Sequence, residues 1–245
     1  MQSGVQRLMD RYYPAGADGE RPADGTKPLY EWMLGAVSPA ATVLNIGAGP
    51  TPGEAPRRLR GRFRRIVGVD PDPIVLSNED LDEAHVSDGA HLPFADATFD
   101  AAYSDWTLEH VSEPLPFLRE VRRVLRPGGT FWFRTANTLH YVTLVSALTP
   151  HRFHVLVANR ARGMADDAHE PWVTHYRMNR RSLLTRQLLR AGFASADVRM
   201  VEPRPVYMLF HPVAFAAGVA YERAVNHSDR LSNLRHTMIG VARVR

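Results

Sequence analysis

Val43-Leu44-Asn45-Ile46-Gly47-Ala48-Gly49-Pro50-Thr51-Pro52-Gly53 is the stretch of this chain that decides the fold. An apolar run rich in β-branched residues leads directly into closely spaced glycines, which predicts a buried strand followed by a tight turn. Glycine suits such a turn because a Cβ atom would keep a ligand away from the backbone, and because the turn requires positive φ. The dinucleotide fingerprint G-x-G-x-x-G does not fit, since Gly53 comes one position late. The stretch alone therefore does not identify the ligand of this turn, and evidence from the rest of the chain is needed.

Acidic residues end two further strands that the sequence predicts downstream. The apolar run Arg65–Asp70 ends in Asp70, whose carboxylate can accept hydrogen bonds from both hydroxyls of a ribose. A short strand before Pro93 ends in Asp88, an acceptor suited to the exocyclic amine of adenine. These acids indicate a nucleoside site at the carboxyl ends of the strands.

The coarse pattern alternates strands with helices. Strands are predicted at 42–46, 64–69, 84–88, 99–104 and 130–135, and helices at 28–37, 53–60, 72–78 and 114–125. Pro127-Gly128-Gly129 is expected to stop the last of these helices and turn the chain. Alternation of this kind predicts an α/β fold with a parallel sheet and crossover helices.

The order of these pieces, with Leu108-Glu109-His110-Val111 after the fourth strand, resembles the class I S-adenosylmethionine-dependent methyltransferases. The small-molecule type 11 group is the most similar, and the resemblance covers roughly residues 41 to 136. It implies a Rossmann-like seven-stranded sheet of order 3-2-1-4-5-7-6, whose last strand is antiparallel. The sixth and seventh strands are then expected at 193–201 and 237–244.

The resemblance also implies S-adenosyl-L-methionine as the cofactor. The backbone of Gly47 to Gly49 would hold its methionine part, Asp70 its ribose, and Asp88 with Gly89 its adenine, while Ser104 and Asp105 would lie near the methionine amine. The cofactor-binding set predicted in this way is Asn45, Gly47, Ala48, Gly49, Asp70, Pro71, Asp88, Gly89, Ala90, Ser104, Asp105 and Trp106. Asn45 stands where the family usually has an acid. We therefore expect a reduced affinity for S-adenosyl-L-methionine but not a loss of binding.

The domain organisation follows from composition and loop length. Residues 1–26, rich in Gly, Pro and Asp, are expected to form an irregular N-terminal arm, and residues 27–245 the methyltransferase domain. Two insertions, at about 137–179 and 203–234, are too long for ordinary loops and predict a mostly helical cap on the substrate side. The first insertion contains an apolar helix at Tyr141–Leu148.

Histidine is the usual base for removing a proton from a hydroxyl or amine near neutral pH. His110 is the best-placed candidate because its segment leaves the fourth strand beside the expected methyl group. His140, His154 and His175 are further candidates. For each of them a purely structural role in ordering a loop or the cap remains the alternative.

The cap also carries residue types that bind metal ions: His151, His154, Asp166, Asp167, His169, Glu170 and His175. Polar residues in a lid need no metal to explain them, so we predict no metal site. The chain has no cysteine, which excludes disulfides, thiolate metal sites and a thiol nucleophile.

The formal net charge of +4 rests largely on arginine, most densely between Arg57 and Arg65. That run could contact nucleic acid phosphates. We favour another interpretation, in which it follows the end of the first helix and complements the helix dipole. No apolar run is long enough to span a membrane, and no secretory h-region is present, so a cytoplasmic protein is expected. A homodimer is possible.

The leading hypothesis is methyl transfer to an oxygen or nitrogen of a small organic acceptor, a secondary metabolite or a saccharide. A nucleic-acid methyltransferase is a second class, although Ser104-Asp105-Trp106-Thr107 does not resemble the motif of amino-directed DNA enzymes. The third class is a methyltransferase fold used for a non-methylating reaction such as cyclisation.

Overall fold

The computed structural model describes residues 4–17, 19–148 and 172–245. Over these ranges the chain forms two compact units. The larger unit consists of Thr26–Ala136, Thr174–Arg199 and Met238–Arg245. The smaller unit consists of Met200–Thr237 and the described parts of Met1–Gly25 and Asn137–Val173. Much of the described part of the two expected insertions therefore belongs to the smaller unit.

Seven strands form one sheet within the described residues. They are β1 (Thr42–Ile46), β2 (Arg65–Asp70), β3 (Glu83–Val86), β4 (Phe99–Asp105), β5 (Leu125–Ala136), β6 (Ser195–Val201) and β7 (Thr237–Arg243). Their order across the sheet is β3-β2-β1-β4-β5-β7-β6, which confirms the order that the resemblance implied. The α/β class is confirmed with it.

β1 lies between β2 and β4 and is parallel to both. Asn45 is opposite Gly68 on one side and Tyr103 on the other. The strand order reverses at this point, since β2 and β3 lie on one side of β1 while β4 and β5 lie on the other. A reversal of this kind opens a crevice at the carboxyl ends of the strands, where α/β proteins bind ligands.

β7 is antiparallel to its neighbours, as expected. On one side Ala194 N donates to Arg243 O, and Gly240 packs against the carbonyl of Asp197. On the other side Val244 N donates to Gly129 O, and Gly240 lies against Phe133. In both pairs of strands the residue numbers rise along one strand while they fall along its neighbour, which defines an antiparallel ladder.

Six α-helices lie among the described residues. They are α1 (Gly4–Tyr12), α2 (Lys27–Ala36), α3 (Pro114–Val124), α4 (Tyr141–Leu148), α5 (Arg181–Arg190) and α6 (Pro212–His227). The expected helix at 28–37 corresponds to α2, the one at 114–125 to α3, and the apolar helix of the first insertion to α4. α2 buries Leu29 and Met33, and its Trp32 packs edge-on against Trp132 of β5.

The helices predicted at 53–60 and 72–78 were wrong. Those segments contain short 3₁₀ helices at Ala55–Arg57 and Pro73–Ser77. Pro50, Pro52 and Pro56 crowd the first segment, and a proline beyond the first helical turn removes a backbone donor and clashes with the preceding turn. The explanation of the arginine run by the dipole of a preceding α-helix fails for the same reason.

Pro127-Gly128-Gly129 lies inside β5 rather than before it. Phe99 of β4 pairs with Leu125, but Ala101 pairs with Thr130, so the strand bulges between these two pairs. Gly128 has φ +77°, and a Cβ atom on Gly129 would lie 2.8 Å from Arg126 O. Glycine is therefore required here for a bulge, and β5 begins earlier than the predicted strand.

The N-terminal segment was expected to be irregular, and over α1 this was wrong. Val5, Leu8, Met9 and Tyr12 recur at helical spacing and join a cluster with Phe215 and Val219 of α6. Beyond α1, the hydroxyl of Tyr13 donates to Glu222 Oε2 at 3.0 Å. Packing against α6 therefore gives this segment a fixed place within the smaller unit.

Candidate functional site

The turn after β1 has the conformation that its glycines predicted. Gly47 and Gly49 have φ of +75° and +54°. A Cβ atom on Gly47 would lie 2.2 Å from Thr107 Oγ1, so the turn packs directly against the segment that follows β4. A Cβ atom on Gly49 would meet no heavy atom of the described residues within 4 Å. The turn is closed on one side and faces open space on the other.

Two side chains hold this turn in place. Asp70 Oδ2 accepts the N–H of Gly49 at 2.9 Å, and its Oδ1 accepts the N–H of Asp72 at the same distance. Asn78 Nδ2 donates to the carbonyls of Ala48 and Gly49 at 3.2 and 3.0 Å. Asp70 was predicted, but Asn78 was not, because nothing in its local sequence marks it as a partner of residues thirty positions away.

The segment after β3 forms a second turn. Asp88 is exposed, and its Oδ1 accepts the N–H of Ala90 at 2.9 Å. Gly89 has φ +76°, and a Cβ atom there would approach Phe117 to 3.1 Å. Oδ2 of Asp88 has no hydrogen-bond partner among the described residues and is therefore available to a donor such as an amine. Pro71, also in the predicted set, is exposed at the end of β2.

The end of β4 carries a buried ionic network. Asp105 accepts from Arg134 Nε at 2.5 Å and from Arg134 Nη2 at 2.8 Å. The hydroxyl of Tyr30 donates to the same carboxylate at 2.7 Å, and Arg57 Nε lies 3.2 Å from its Oδ2. Trp106 has φ +57°, and the guanidinium carbon of Arg134 is 5.2 Å from its ring centroid. The carboxylate of Asp105 therefore pairs with two arginines, Arg134 and Arg57.

The remaining predicted cofactor residues are buried or nearly so. Ser104 is fully buried, and its Oγ atom has no hydrogen-bond partner in the described part of the chain. Asn45, also buried, lies at the carboxyl end of β1. The predicted contacts of Ser104 and Asp105 with a methionine amine stay predictions.

Glu109 is a buried acid that the sequence analysis did not single out. Its Oε2 accepts the hydroxyl of Thr135 at 2.8 Å, and Thr135 in turn accepts Asn179 Nδ2 at 2.7 Å. Its backbone carbonyl accepts the N–H groups of His175 and Tyr176. Burial raises the pKa of Glu109 from 4.5 to about 7. Glu109 therefore connects the segment after β4 to β5 and to the chain that returns from the first insertion.

The four candidate histidines have different surroundings. His110 is half-buried in the 3₁₀ helix Leu108–His110, and His175 is exposed, with its backbone bonded to the same turn. His140 belongs to the smaller unit, where its Nε2 lies 3.2 Å from Glu202 Oε1 and its Nδ1 accepts the N–H of Val142. His154 lies outside the described residues. A catalytic role for any of them stays a prediction.

Most of the cap residues considered as metal ligands also lie outside the described residues. His175 is described, and the described ranges contain no group of three or more histidine and acidic side chains arranged to hold a metal ion. None of the helices over these ranges combines the length and the apolar character needed to cross a membrane.

The arginine run between β1 and β2 makes local contacts. Arg58 Nε donates to Pro52 O at 2.9 Å, Arg60 Nη1 donates to Glu79 O, and Arg64 Nη2 donates to Thr42 Oγ1 at 2.7 Å. Arg65 pairs with Glu83. These contacts tie the connection between β1 and β2 to its neighbours.

Comparison with known proteins gives a matching family and relatives. A family model described as a methyltransferase domain, type 11, matches residues 44–133. A protein of Mycolicibacterium vanbaalenii described as an uncharacterized methyltransferase is 33% identical over 130 residues, which are 51% of this chain and 49% of that protein. The chain thus spans about half the length of the curated relatives it matches.

Solved structures show a similar fold over most of the chain. The [4+2]-cyclase SpnF has a TM-score of 0.54 at 21% identity, with 89% of this chain and 81% of that chain covered. An S-adenosylmethionine-dependent methyltransferase from Mesorhizobium loti has a TM-score of 0.53 at 19% identity, with 89% and 100% covered. At these identities the likeness shows a shared fold.

Proposed function

We propose that this chain, which through residues 44–133 belongs to the type 11 methyltransferase family, transfers a methyl group from S-adenosylmethionine to an oxygen or nitrogen of a small organic acceptor. The family supplies the reaction class. The donor, the acceptor class and the site residues are our inference from the geometry at the carboxyl ends of β1, β2 and β4.

The observation that carries the proposal is the pairing of Asp70 with the glycine turn. Each carboxylate oxygen of Asp70 accepts one backbone N–H, which leaves lone pairs on both oxygens for the two hydroxyls of a ribose. The same hydrogen bonds hold Gly49, whose outer side is open. One residue thus shapes the turn and offers the acceptors that a nucleoside requires.

The described residues fit an adenosyl sulfonium donor. Oδ2 of exposed Asp88 can accept the adenine amine, and the turn of Gly47 to Gly49 admits the chain that bears the sulfur. When bound, the donor supplies a methyl group that is already strongly electrophilic. The protein then needs to align the acceptor in line with the carbon–sulfur bond at about 3 Å and to exclude water.

His110 fits the role of a base best among the four histidines. Buried Leu108 and Glu109 anchor its turn directly after β4, and the carbonyl of Glu109 also binds the backbone of His175. His110 can therefore be held beside the reacting groups while remaining half-exposed.

The proposal is tested by titrating S-adenosylhomocysteine into the protein in a calorimeter. We expect micromolar binding to the wild type and a loss of at least tenfold in Asp70→Ala, since that variant removes the ribose acceptors and frees the glycine turn. Asp197→Ala removes an exposed aspartate on β6 and is the matched control, with unchanged affinity expected. Equal affinity in Asp70→Ala and wild type would contradict the assignment of Asp70 to the ribose. Absence of binding to the wild type would contradict S-adenosylmethionine as the donor.

Mass spectrometry of candidate acceptors distinguishes methyl transfer to a small molecule from the other two functional classes. A gain of one methyl on a small molecule supports the proposal. The likeness to SpnF extends to the fold alone, so turnover of an acceptor without methyl gain is the outcome that would favour a cyclase-type reaction. Steeply salt-dependent binding to RNA or DNA would favour a nucleic-acid substrate.

A further inference from the structure

Tyr176 is a residue whose conformation the proposed function does not explain. It lies in residues 175–179, which we call the return bend because the chain comes back there from the first insertion. Its φ is +50°, in the left-handed region that a bulky side chain enters only at an energetic cost. The side chain is half-buried, and its hydroxyl has no hydrogen-bond partner among the described residues. The backbone is therefore strained while the polar end of the side chain is uncommitted within this part of the chain.

A closed set of hydrogen bonds holds the return bend. At its start the N–H groups of His175 and Tyr176 both donate to Glu109 O, at 2.8 and 3.0 Å. At its end Asn179 Nδ2 donates to Thr135 Oγ1 at 2.7 Å. The hydroxyl of Thr135 donates in turn to Glu109 Oε2 at 2.8 Å. Glu109 is thus connected to both ends of the bend, directly through its carbonyl and through Thr135 by its carboxyl group.

The base of the return bend is buried, whereas its outer side is not. Met178, Asn179 and Thr135 have no exposed surface. His175 and Arg177 are exposed. A strained conformation persists only where the surrounding structure determines it, and here the buried base and the closed hydrogen bonds do so.

Trp106 is the other bulky side chain with positive φ among the described residues, at +57°. It follows the end of β4, three residues before Glu109, and its N–H donates to Arg134 O at 3.0 Å. Strained residues cluster at active sites and ligand clamps. Both strained aromatic residues are local to Glu109, one by sequence and the other by a hydrogen bond, which indicates a ligand site there.

The segment that carries Glu109 also contacts the glycine turn. Thr107 Oγ1 donates to Ile46 O at 3.2 Å and fills the space that a Cβ atom of Gly47 would need. Two residues later Glu109 binds the return bend. The bend and the turn proposed to hold the donor therefore border the same short segment, at the carboxyl ends of parallel strands where α/β proteins bind ligands.

We propose that Tyr176 binds the acceptor through its hydroxyl, and that Glu109, Thr135 and Asn179 are positioning residues that hold the return bend for this contact. The inference rests on the proposed function, to which it adds a residue on the acceptor side. A phenol offers an apolar ring and a hydroxyl that both donates and accepts. The acceptor class that fits is an organic molecule whose apolar part carries a hydroxyl or an amine.

The contact is tested by S-adenosylhomocysteine calorimetry and by steady-state kinetics with the acceptor that gains a methyl group from the wild type. Tyr176→Phe removes only the hydroxyl, so KM for the acceptor should rise by about fivefold or more. Its kcat and its affinity for S-adenosylhomocysteine should stay close to the wild-type values. Tyr12→Phe is the matched control, because Tyr12 is a half-buried tyrosine of the smaller unit, and it should keep the wild-type KM. An unchanged KM in Tyr176→Phe would overturn the contact.

The positioning role is tested at Thr135, whose hydroxyl joins Glu109 to Asn179. Thr135→Val keeps the shape of the side chain but removes this link, so KM for the acceptor should rise while S-adenosylhomocysteine binds as in the wild type. Thr135→Ser keeps the hydroxyl and should restore the wild-type KM. Equal KM values in these two variants would overturn the positioning role. Failure of the wild type to bind S-adenosylhomocysteine or to methylate a small molecule would instead overturn the proposed function, on which the contact depends.

Discussion

Glu109 is the single residue whose chemistry most departs from what its sequence position suggests. Its carboxyl group is buried beside Asp105 and Arg134 and accepts a hydrogen bond from Thr135. Burial penalises the charged form and raises the pKa to about 7, above the value of 4.5 expected in the unfolded chain. Between these values the folded protein binds more protons than the unfolded one. Its stability therefore falls as the pH rises from about 4.5 to 7.

Glu109→Gln removes this dependence, because glutamine is neutral at every pH and keeps an acceptor for Thr135. We expect the variant to match the wild type at about pH 4 and to exceed its free energy of unfolding at pH 8 by up to about 3 kcal/mol. Urea denaturation at several pH values measures the difference. Glu113→Gln, at an exposed glutamate, should follow the wild type throughout. Parallel profiles for Glu109→Gln and wild type would show that the carboxyl is ionised in the folded protein.

Some residues of the site could be predicted from the sequence, and others could not. Gly47, Gly49 and Asp70 are marked by local spacing, because positive φ and a strand-end acid leave direct signals. Arg57, Asn78 and Glu109 contact partners between twenty-six and forty-eight positions away, and the chain carries no local trace of those pairings. A buried carboxyl also looks like any other glutamate until its environment is known.

At the scale of elements, the strands were easier to predict than the helices. Four strands of the sheet, β1, β2, β4 and β7, are apolar runs buried along almost their whole length, so their composition alone indicates them. The segments after β1 and β2 were predicted as helices from the alternation of elements, but polar side chains hold them in another form. Asp80 accepts the N–H groups of Leu59 and Arg60, and Asp72 accepts the N–H of Ile74. These contacts and the nearby prolines give 3₁₀ helices instead.

The packing of α1 against α6 yields a prediction for the smaller unit. Phe215 is fully buried and meets the ring of Tyr13 edge-on, with centroids 6.2 Å apart. Phe215→Ala would leave a cavity between the two helices and should lower the free energy of unfolding by about 3 to 5 kcal/mol. Phe210→Ala is the matched control, because Phe210 is 64% exposed and its truncation leaves no cavity. Urea denaturation compares the two, and equal losses would contradict the packing of α1 on α6.

At the scale of the molecule, the chain builds two units from segments that are far apart in sequence. The smaller unit gathers the N-terminal segment and parts of both insertions, whereas the residues proposed to bind the donor all belong to the larger unit. The length of these connections indicated the insertions, because ordinary loops are shorter. It could not show that the N-terminal segment joins them, since that depends on contacts between α1 and α6.

The division into units predicts which segments S-adenosylhomocysteine will protect from hydrogen exchange. S-Adenosylhomocysteine at one hundred times its Kd should stabilise the protein by about 2.7 kcal/mol, and the fastest-exchanging amides of the turns it contacts should gain most protection. Hydrogen exchange measured by mass spectrometry should show this gain at 47–53, 71–78 and 87–91. The 3₁₀ helix Asp229–Leu234 of the smaller unit is the matched control and should show little. Equal protection of that helix and the turns, or the same pattern in Asp70→Ala, would contradict a site formed by the strand ends of the larger unit.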